Sequence, residues 1–340
     1  MQRWALVVTL LIAGLAQAQP PPQPVAPPTG LVVGSGNFFS PIVADLDRAV
    51  AFYRDGLGFD VQGAPSDASA NPALRNMFGL PEATIRWTIA RAAGIAGGVE
   101  IVAISGAGGE PLARRMQDPG AFTLLVLVRD LDSVAARLRT LGTPVVSIGG
   151  APALVPMGAG QARLLMVRDP DGHFVELVQP PEIPVTQAPP SANIVEVRVR
   201  LTVADVGESL RLYEDALGLE PVSRSEFIDN PTVAAALGVP GAQFRFGILR
   251  VPTSGLLFEV IDFKGLERQT ARGDIQDPGS TRIQMRVRDI DAAIAAFARF
   301  GGSVVSTGGK PLELPAGDRR LEVAIVREPD NLFVVLIESP

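Results

Sequence analysis

The sequence predicts an α+β protein built from four βαβββ modules, two in each half of the chain. Duplication is the first observation behind that prediction. Val43-Ala44-Asp45, then Tyr53, Asp55, Leu57 and Gly58, recur as Val203-Ala204-Asp205, Tyr213, Asp215, Leu217 and Gly218, an offset of 160 that becomes 159 after one deletion. Asn71-Pro72 and Asn230-Pro231, Glu100 and Glu259, and Val145-Val146-Ser147 and Val304-Val305-Ser306 keep the later offset. Two long copies mean duplication of a whole domain, not a solenoid. The second observation is a smaller unit appearing twice per copy: an apolar run, an aspartate, an amphipathic stretch, then glycine. The third is that glycine- and proline-bounded apolar runs follow each such unit, reading as antiparallel strands.

In chain order, Phe39 to Val43 reads as a strand and Asp45 as the cap of a helix that buries Leu46, Val50 and Phe52-Tyr53 and ends near Gly56 and Gly58. Asn71-Pro72 predicts a short inserted helix ending at Gly79, placed where it could cover a cavity mouth. TIRWTIARA and GVEIVAIS read as strands. FTLLVLV, Asp130, LDSVAARLRTL and Gly142 repeat the opening formula, and ARLLMVRD and HFVELVQ supply further strands. The second copy does the same from Val197, capped by Asp205, and from Ile283, capped by Asp289. Its inserted helix is predicted from Asn230-Pro231 to Gly238.

The 340 residues suffice for two cores. Residues 1–18 read as a cleavable signal peptide: Arg3, an apolar stretch from Trp4 to Leu15, then Ala16-Gln17-Ala18. That stretch is shorter than the roughly 20 residues that span a bilayer. The reading then gives a proline-rich tether over 19–36, a first domain over 37–180, a proline-rich linker over 181–193 and a second domain over 194–340. Export to the periplasm or beyond follows. With no cysteine in the chain, packing alone must hold it together. The net charge of −6 and pI near 5.0 argue against nucleic acid or an anionic membrane as partner. No phosphate-cradling glycine loop or nucleophile elbow is present.

The V-x-D-L-D…FY…LGF opening and the closing Asp169-Pro170-Asp171-Gly172-His173-Phe174-Val175-Glu176-Leu177 resemble the vicinal oxygen chelate superfamily of glyoxalases, bleomycin-resistance proteins and extradiol dioxygenases. The resemblance implies curved mixed sheets, each around a cup, with two tandem domains. It also implies four metal-ligand positions per copy. In the first copy they carry Phe38, Glu100, Thr123 and Glu176; in the second, Arg198, Glu259, Arg282 and Val335. Neither set keeps a histidine, the usual neutral donor for a first-row metal. No metal or other cofactor is therefore expected. His173, the only histidine, falls in the closing turn and alternates away from Glu176.

Strand alternation adds evidence of its own. In VRVRLTV, Val197, Val199, Leu201 and Val203 share one face and Arg198, Arg200 and Thr202 the other; in RIQMRVR, Arg282, Gln284, Arg286 and Arg288 oppose Ile283, Met285 and Val287. By the geometry that the resemblance implies, Arg198, Arg200, Arg282 and Arg286 line one cup with Glu259 as the single acid. That surplus predicts a small anionic ligand held by guanidinium groups. The alternative at those residues is a salt-bridged cluster, Arg198 and Arg282 clamping Glu259, in place of a metal. The first copy's cup would then be apolar, with Phe38, Ser40, Ile42, Thr123, Leu125 and Leu127 around Glu100 and Glu176, whose neighbours could include Arg86. The leading reading is a metal-free small-molecule binder, with monomer and homodimer both open. The alternatives are a lyase, isomerase or dioxygenase using Glu100 and Glu176 together, and a vestigial interaction module.

Overall fold

The computed structural model describes residues 30–61, 63–68, 71–270, 272–316 and 319–338. The predicted signal peptide and most of the tether lie outside these residues. Module 1 holds β1 (Val32–Ser35), β2 (Ser40–Val43), α1 (Leu46–Ala51), β3 (Asp60–Val61), β4 (Ser66–Asp67), α2 (Pro72–Met77), β5 (Thr84–Arg91) and β6 (Val99–Ser105). Module 2 holds β7 (Phe122–Val128), α3 (Leu131–Thr140), β8 (Ala153–Met157), β9 (Gly160–Arg168) and β10 (Phe174–Gln179). Module 3 holds β11 (Ile194–Thr202), α4 (Val206–Leu210), β12 (Glu220–Arg224), α5 (Pro231–Ala236), β13 (Gln243–Arg250) and β14 (Leu257–Lys264). Module 4 holds β15 (Thr281–Val287), α6 (Ile290–Arg299), β16 (Ser303–Val304), β17 (Leu312–Ala316), β18 (Arg319–Arg327) and β19 (Phe333–Glu338). Part of the segment read as tether is thus a strand: β1 pairs with β15, its short Val-Val-Gly-Ser run meeting an otherwise bare strand edge.

The four predicted aspartate caps form as the sequence dictates. Asp45, Asp130, Asp205 and Asp289 accept from the backbone N–H of Arg48, Ser133, Glu208 and Ala292, satisfying donors that a helix start leaves open. Asn71 and Asn230 cap α2 and α5 in the same way, with proline in the first turn. α1 and α4 each run on into a π-helical stretch, Phe52–Leu57 and Arg211–Ala216, which sets Tyr53 and Tyr213 fully into the core.

The sheets cut across the two copies. One has the order β16-β18-β19-β15-β2-β6-β5-β3, joining modules 1 and 4; the other has β12-β13-β14-β11-β7-β10-β9-β8, joining modules 2 and 3. At each join the first strands of two modules pair antiparallel, Arg282 opposite Ser40 and Arg200 opposite Thr123. The reason lies in segments 106–121 and 265–280, which carry the chain between sheets and fasten to each other. Each ends in Gln-Asp-Pro-Gly: Asp118 accepts from the Gln269 N–H at 2.9 Å, and Asp277 from the Glu110 N–H at 3.0 Å. A single core between the sheets takes in the faces of α1, α3, α4 and α6, with the Phe39 and Phe122 rings stacked 5.7 Å apart across it. Two smaller apolar clusters lie in the two cups.

Candidate functional site

Because modules pair across copies, the predicted cup residues regroup. Arg198, Arg200, Glu259, Thr123 and Glu176 belong to the cup of modules 2 and 3; Glu100, Arg282 and Gln284 belong to the cup of modules 1 and 4. The expected surplus of guanidinium in one hollow does not arise. Tallied within copies, the first has two acids and no base and the second three arginines to one acid. Across copies the charges match, and that imbalance was the signal in the sequence.

In the cup of modules 2 and 3, Arg200 lies between two carboxylates, bonding Glu259 at 2.9 Å and Glu176 at 2.5 Å. Arg198 bonds Glu196 at 2.6 Å and stands 3.8 Å from Glu259. The predicted clamp of Glu259 by Arg198 and Arg282 is therefore replaced by Arg200, since Arg282 sits in the other sheet. Burial pulls Arg200 down, but Glu176 and Glu259 carry it above its ordinary value; burial lifts Glu259 above the usual carboxylate range. Around these groups the cup is lined by buried apolar side chains. Val233, Ala234 and Ala236 of α5 pack down onto Leu127, Leu164, Met166 and Ile261, and Thr123 is fully buried.

The cup of modules 1 and 4 keeps a hollow of about 110 Å³, walled by Ala68, Leu74, Met77, Phe78, Ile85 and Trp87, with Val102 and Val335. Its polar lining is Glu100, Arg282 and Gln284. Glu100 Oε2 accepts from Arg282 Nη2 at 3.0 Å, Gln284 Nε2 at 3.1 Å and Ser40 Oγ at 3.2 Å. Gln284 cannot turn away, because its Oε1 accepts from the Asn37 N–H at 3.0 Å. Arg282 is 1% exposed, lies over the Phe78 ring at 4.4 Å, and keeps its Nε buried without a partner. Burial lowers the Arg282 pKa, and Glu100 opposes the shift.

Two predicted site residues, Phe38 and Arg286, and one predicted neighbour, Arg86, fall elsewhere. Phe38 sits in the core between the sheets and not in the cup. Six residues from Ser35 to Ser40 run opposite only four from Met285 to Arg282, so the strand bulges and throws Phe38 off its face. Arg286 is exposed, opposite Gly34 at the far end of β15. Arg86 is exposed too and does not meet Glu100. Glu100 and Glu176 lie on different sheets, which removes the reading in which they act together. His173 is buried, its Nδ1 2.9 Å from Asp169 and its Nε2 3.0 Å from the Ser280 carbonyl; Tyr53 donates to the same Asp169 at 2.9 Å. Sequence pattern alone could not find Trp87 and Phe78, which line the hollow from β5 and the end of α2.

A metal of the kind the fold suggests does not fit these residues. In each cup a guanidinium already bonds the acids a dication would need. Among the described residues no group of three or more His, Cys, Asp or Glu could hold one.

Residues 37–177 match the Glyoxalase/Bleomycin resistance protein/Dioxygenase superfamily. The structure is similar to glyoxalase I from Zea mays (TM-score 0.57, 18% identity, covering 89% of this chain and 92% of that one). It is also similar to a putative dioxygenase from Bacillus subtilis (TM-score 0.53, 16% identity, covering 92% and 87%). No curated protein matches the chain in sequence. Residues 37–177 thus belong to the glyoxalase/bleomycin resistance protein/dioxygenase superfamily, and the chain as a whole, with a second copy repeating the first, shares the fold of glyoxalase I.

Proposed function

We propose that this protein binds a small molecule in the hollow of modules 1 and 4, without a metal. One observation carries the reading: Arg282, Glu100 and Gln284 converge, bonded to one another, in the lining of a hollow otherwise walled by apolar side chains. The hollow is smaller than the ~300–1,000 Å³ of a typical site, so it suits a compact compound or one end of a longer one. The argument for an anion rested on unmatched arginines. With each arginine here facing a carboxylate, a neutral ligand becomes the better candidate. The signal-like residues 1–18 support work outside the cytoplasm, which N-terminal sequencing of periplasmic and secreted protein would test.

The chain has two tryptophans, Trp4 and Trp87; signal cleavage leaves Trp87, in the hollow wall, as sole reporter. A screen of carboxylates, phosphates, ketones and amides by Trp87 emission and melting temperature should give hits that disappear in Ala68→Leu, which fills the hollow. No response from any class, or hits that persist in a folded Ala68→Leu protein, would overturn the proposal.

A further inference from the structure

A cleft of about 330 Å³ opens where the linker crosses from module 2 to module 3. That is three times the hollow's 110 Å³ and within the ~300–1,000 Å³ of a typical small-molecule site. Linker residues 184–187, the β5–β6 turn at 94–96 and the β13–β14 turn at 254–256 wall it, together with the start of β11. The linker is fastened in place. Thr186 Oγ1 donates to the Val195 carbonyl at 2.5 Å and accepts from the Ala188 N–H at 3.0 Å. Gly94, at φ +77°, packs on the Gln187 carbonyl so closely that a Cβ would find no room. The walls thus stand ready before a ligand arrives, which lowers the cost of binding one.

The lining states what would fit. Aliphatic side chains make most of it, Ile95, Val185, Val222 and Leu257 among them. Val185 is 83% exposed, apolar surface that an apolar ligand would take out of water. Arg250 is the one cation in the lining. Its counterpart in the first copy, Arg91, gives Nη1 to the Gly97 carbonyl of its own turn at 3.2 Å. Arg250 instead stands 3.9 Å from Glu220, beyond hydrogen-bonding reach, with both side chains partly exposed. Such a pair is worth little and yields easily to a better partner. The one acid in the lining, Glu196, is already bonded to Arg198 at 2.6 Å. A single available guanidinium matches one carboxylate, gripped by two parallel bonds. A dianion would press its second charge on Glu196, and an ammonium would meet Arg250.

We propose that this cleft is a second binding site, independent of the hollow, for a short-chain aliphatic monocarboxylate, its head at Arg250 and its chain against Val185 and Leu257. Hexanoate, hexanamide and hexylamine share one chain and differ only in the head, and titration calorimetry reads all three. Hexanoate should bind one to one, roughly tenfold tighter than hexanamide, the worth of a hydrogen bond to a charged group. Hexylamine should be weakest. Arg250→Gln should bring hexanoate down to hexanamide, while Arg91→Gln, at the equivalent place, should change nothing. Val185→Asp should weaken hexanoate and hexanamide alike. Trp87 lines the hollow and not the cleft, so hexanoate should raise the melting temperature without moving Trp87 emission, whereas a ligand in the hollow moves both. Ala68→Leu should leave hexanoate affinity as it was. Silence with hexanoate, no preference over hexanamide, or a preference that survives Arg250→Gln at an unchanged melting temperature would overturn the assignment. So would binding lost in Ala68→Leu, which would place hexanoate in the hollow and leave the function proposed above standing.

Discussion

Arg200 and Ser40 occupy equivalent places on the first strands of modules 3 and 1, as do Glu176 and Val335 on the last strands of modules 2 and 4. In one cup a long cation reaches two facing acids and α5 buries Val233, Ala234 and Ala236 over them. In the other, a serine leaves the centre short, valine removes one acid, and α2 buries only Met77 fully. The hollow follows. The modules join through the same pairing of first strands in both, and the difference in openness follows side-chain length and charge at these two positions.

The comparison predicts unequal costs for removing each guanidinium. Arg200→Met strands Glu176 and Glu259, 1% and 0% exposed, and should cost about 3–5 kcal/mol in urea unfolding. Arg282→Met should cost less, because the Glu100 side chain is 16% exposed and retains Ser40 and Gln284. Equal losses would mean that both cups are sealed alike.

The modules, caps and inserted helices were legible because each rests on local chemistry: aspartate and asparagine at N-caps, glycine at helix ends, alternation in strands. Which module pairs with which was not, because that is settled by contacts between residues some 150 apart, such as Asp118 with Gln269. The cup residues were therefore named correctly by face and assembled wrongly by partner. Phe38 failed for another reason. A bulge shifts alternation, and nothing in Gly34-Ser35-Gly36-Asn37 says on which residue it falls.

A second pair of equivalent places sharpens the contrast. Tyr53 donates to Asp169, which also holds His173; Tyr213 has its hydroxyl buried without a partner, and Glu328 and Leu332 stand where Asp169 and His173 would be. Tyr53→Phe should cost about 1.5–3 kcal/mol, a hydrogen bond to a charged group, while Tyr213→Phe should be near neutral or stabilising. Thermal and urea unfolding of both variants would show it.

The same places titrate differently. Burial first, then Asp330, lifts Glu328 from 4.5 to about 8, and burial lifts Asp330 from 3.8 to about 6. Both folded values exceed the unfolded ones, so the folded state holds the extra protons. Stability is whole below about pH 4 and declines as pH rises through 6 towards 8. His173, whose folded pKa is also raised, adds loss at the upper end of that window. Asp169 works the other way: burial opposes the shift, but His173 holds it below the usual value, so its contribution is lost as pH falls through the acid range. Unfolding free energy against pH should therefore slope down from pH 5 to 8, and Glu328→Gln should flatten that slope without changing the acid limb. An unchanged slope would place Glu328 in contact with water.

The smallest expected effect separates the cups most cleanly. Ser306 Oγ donates to the Met77 carbonyl at the end of α2 and accepts from the Ile325 N–H; Ser147 Oγ does the same with Ala236 of α5 and Met166. Each serine comes from the module opposite its helix, so it fastens the helix over the cup. Alanine at either position should cost about 1 kcal/mol, one hydrogen bond's net worth. The two variants should differ in binding. α2 and its C-cap bring Leu74, Met77 and Phe78 to the hollow wall, so Ser306→Ala should weaken a ligand read out at Trp87 several-fold by loosening that wall. Ser147→Ala should leave affinity unchanged, since α5 packs Val233, Ala234 and Ala236 into the apolar cluster of the other cup. Equal weakening by both would mean that this other cup also takes part in binding.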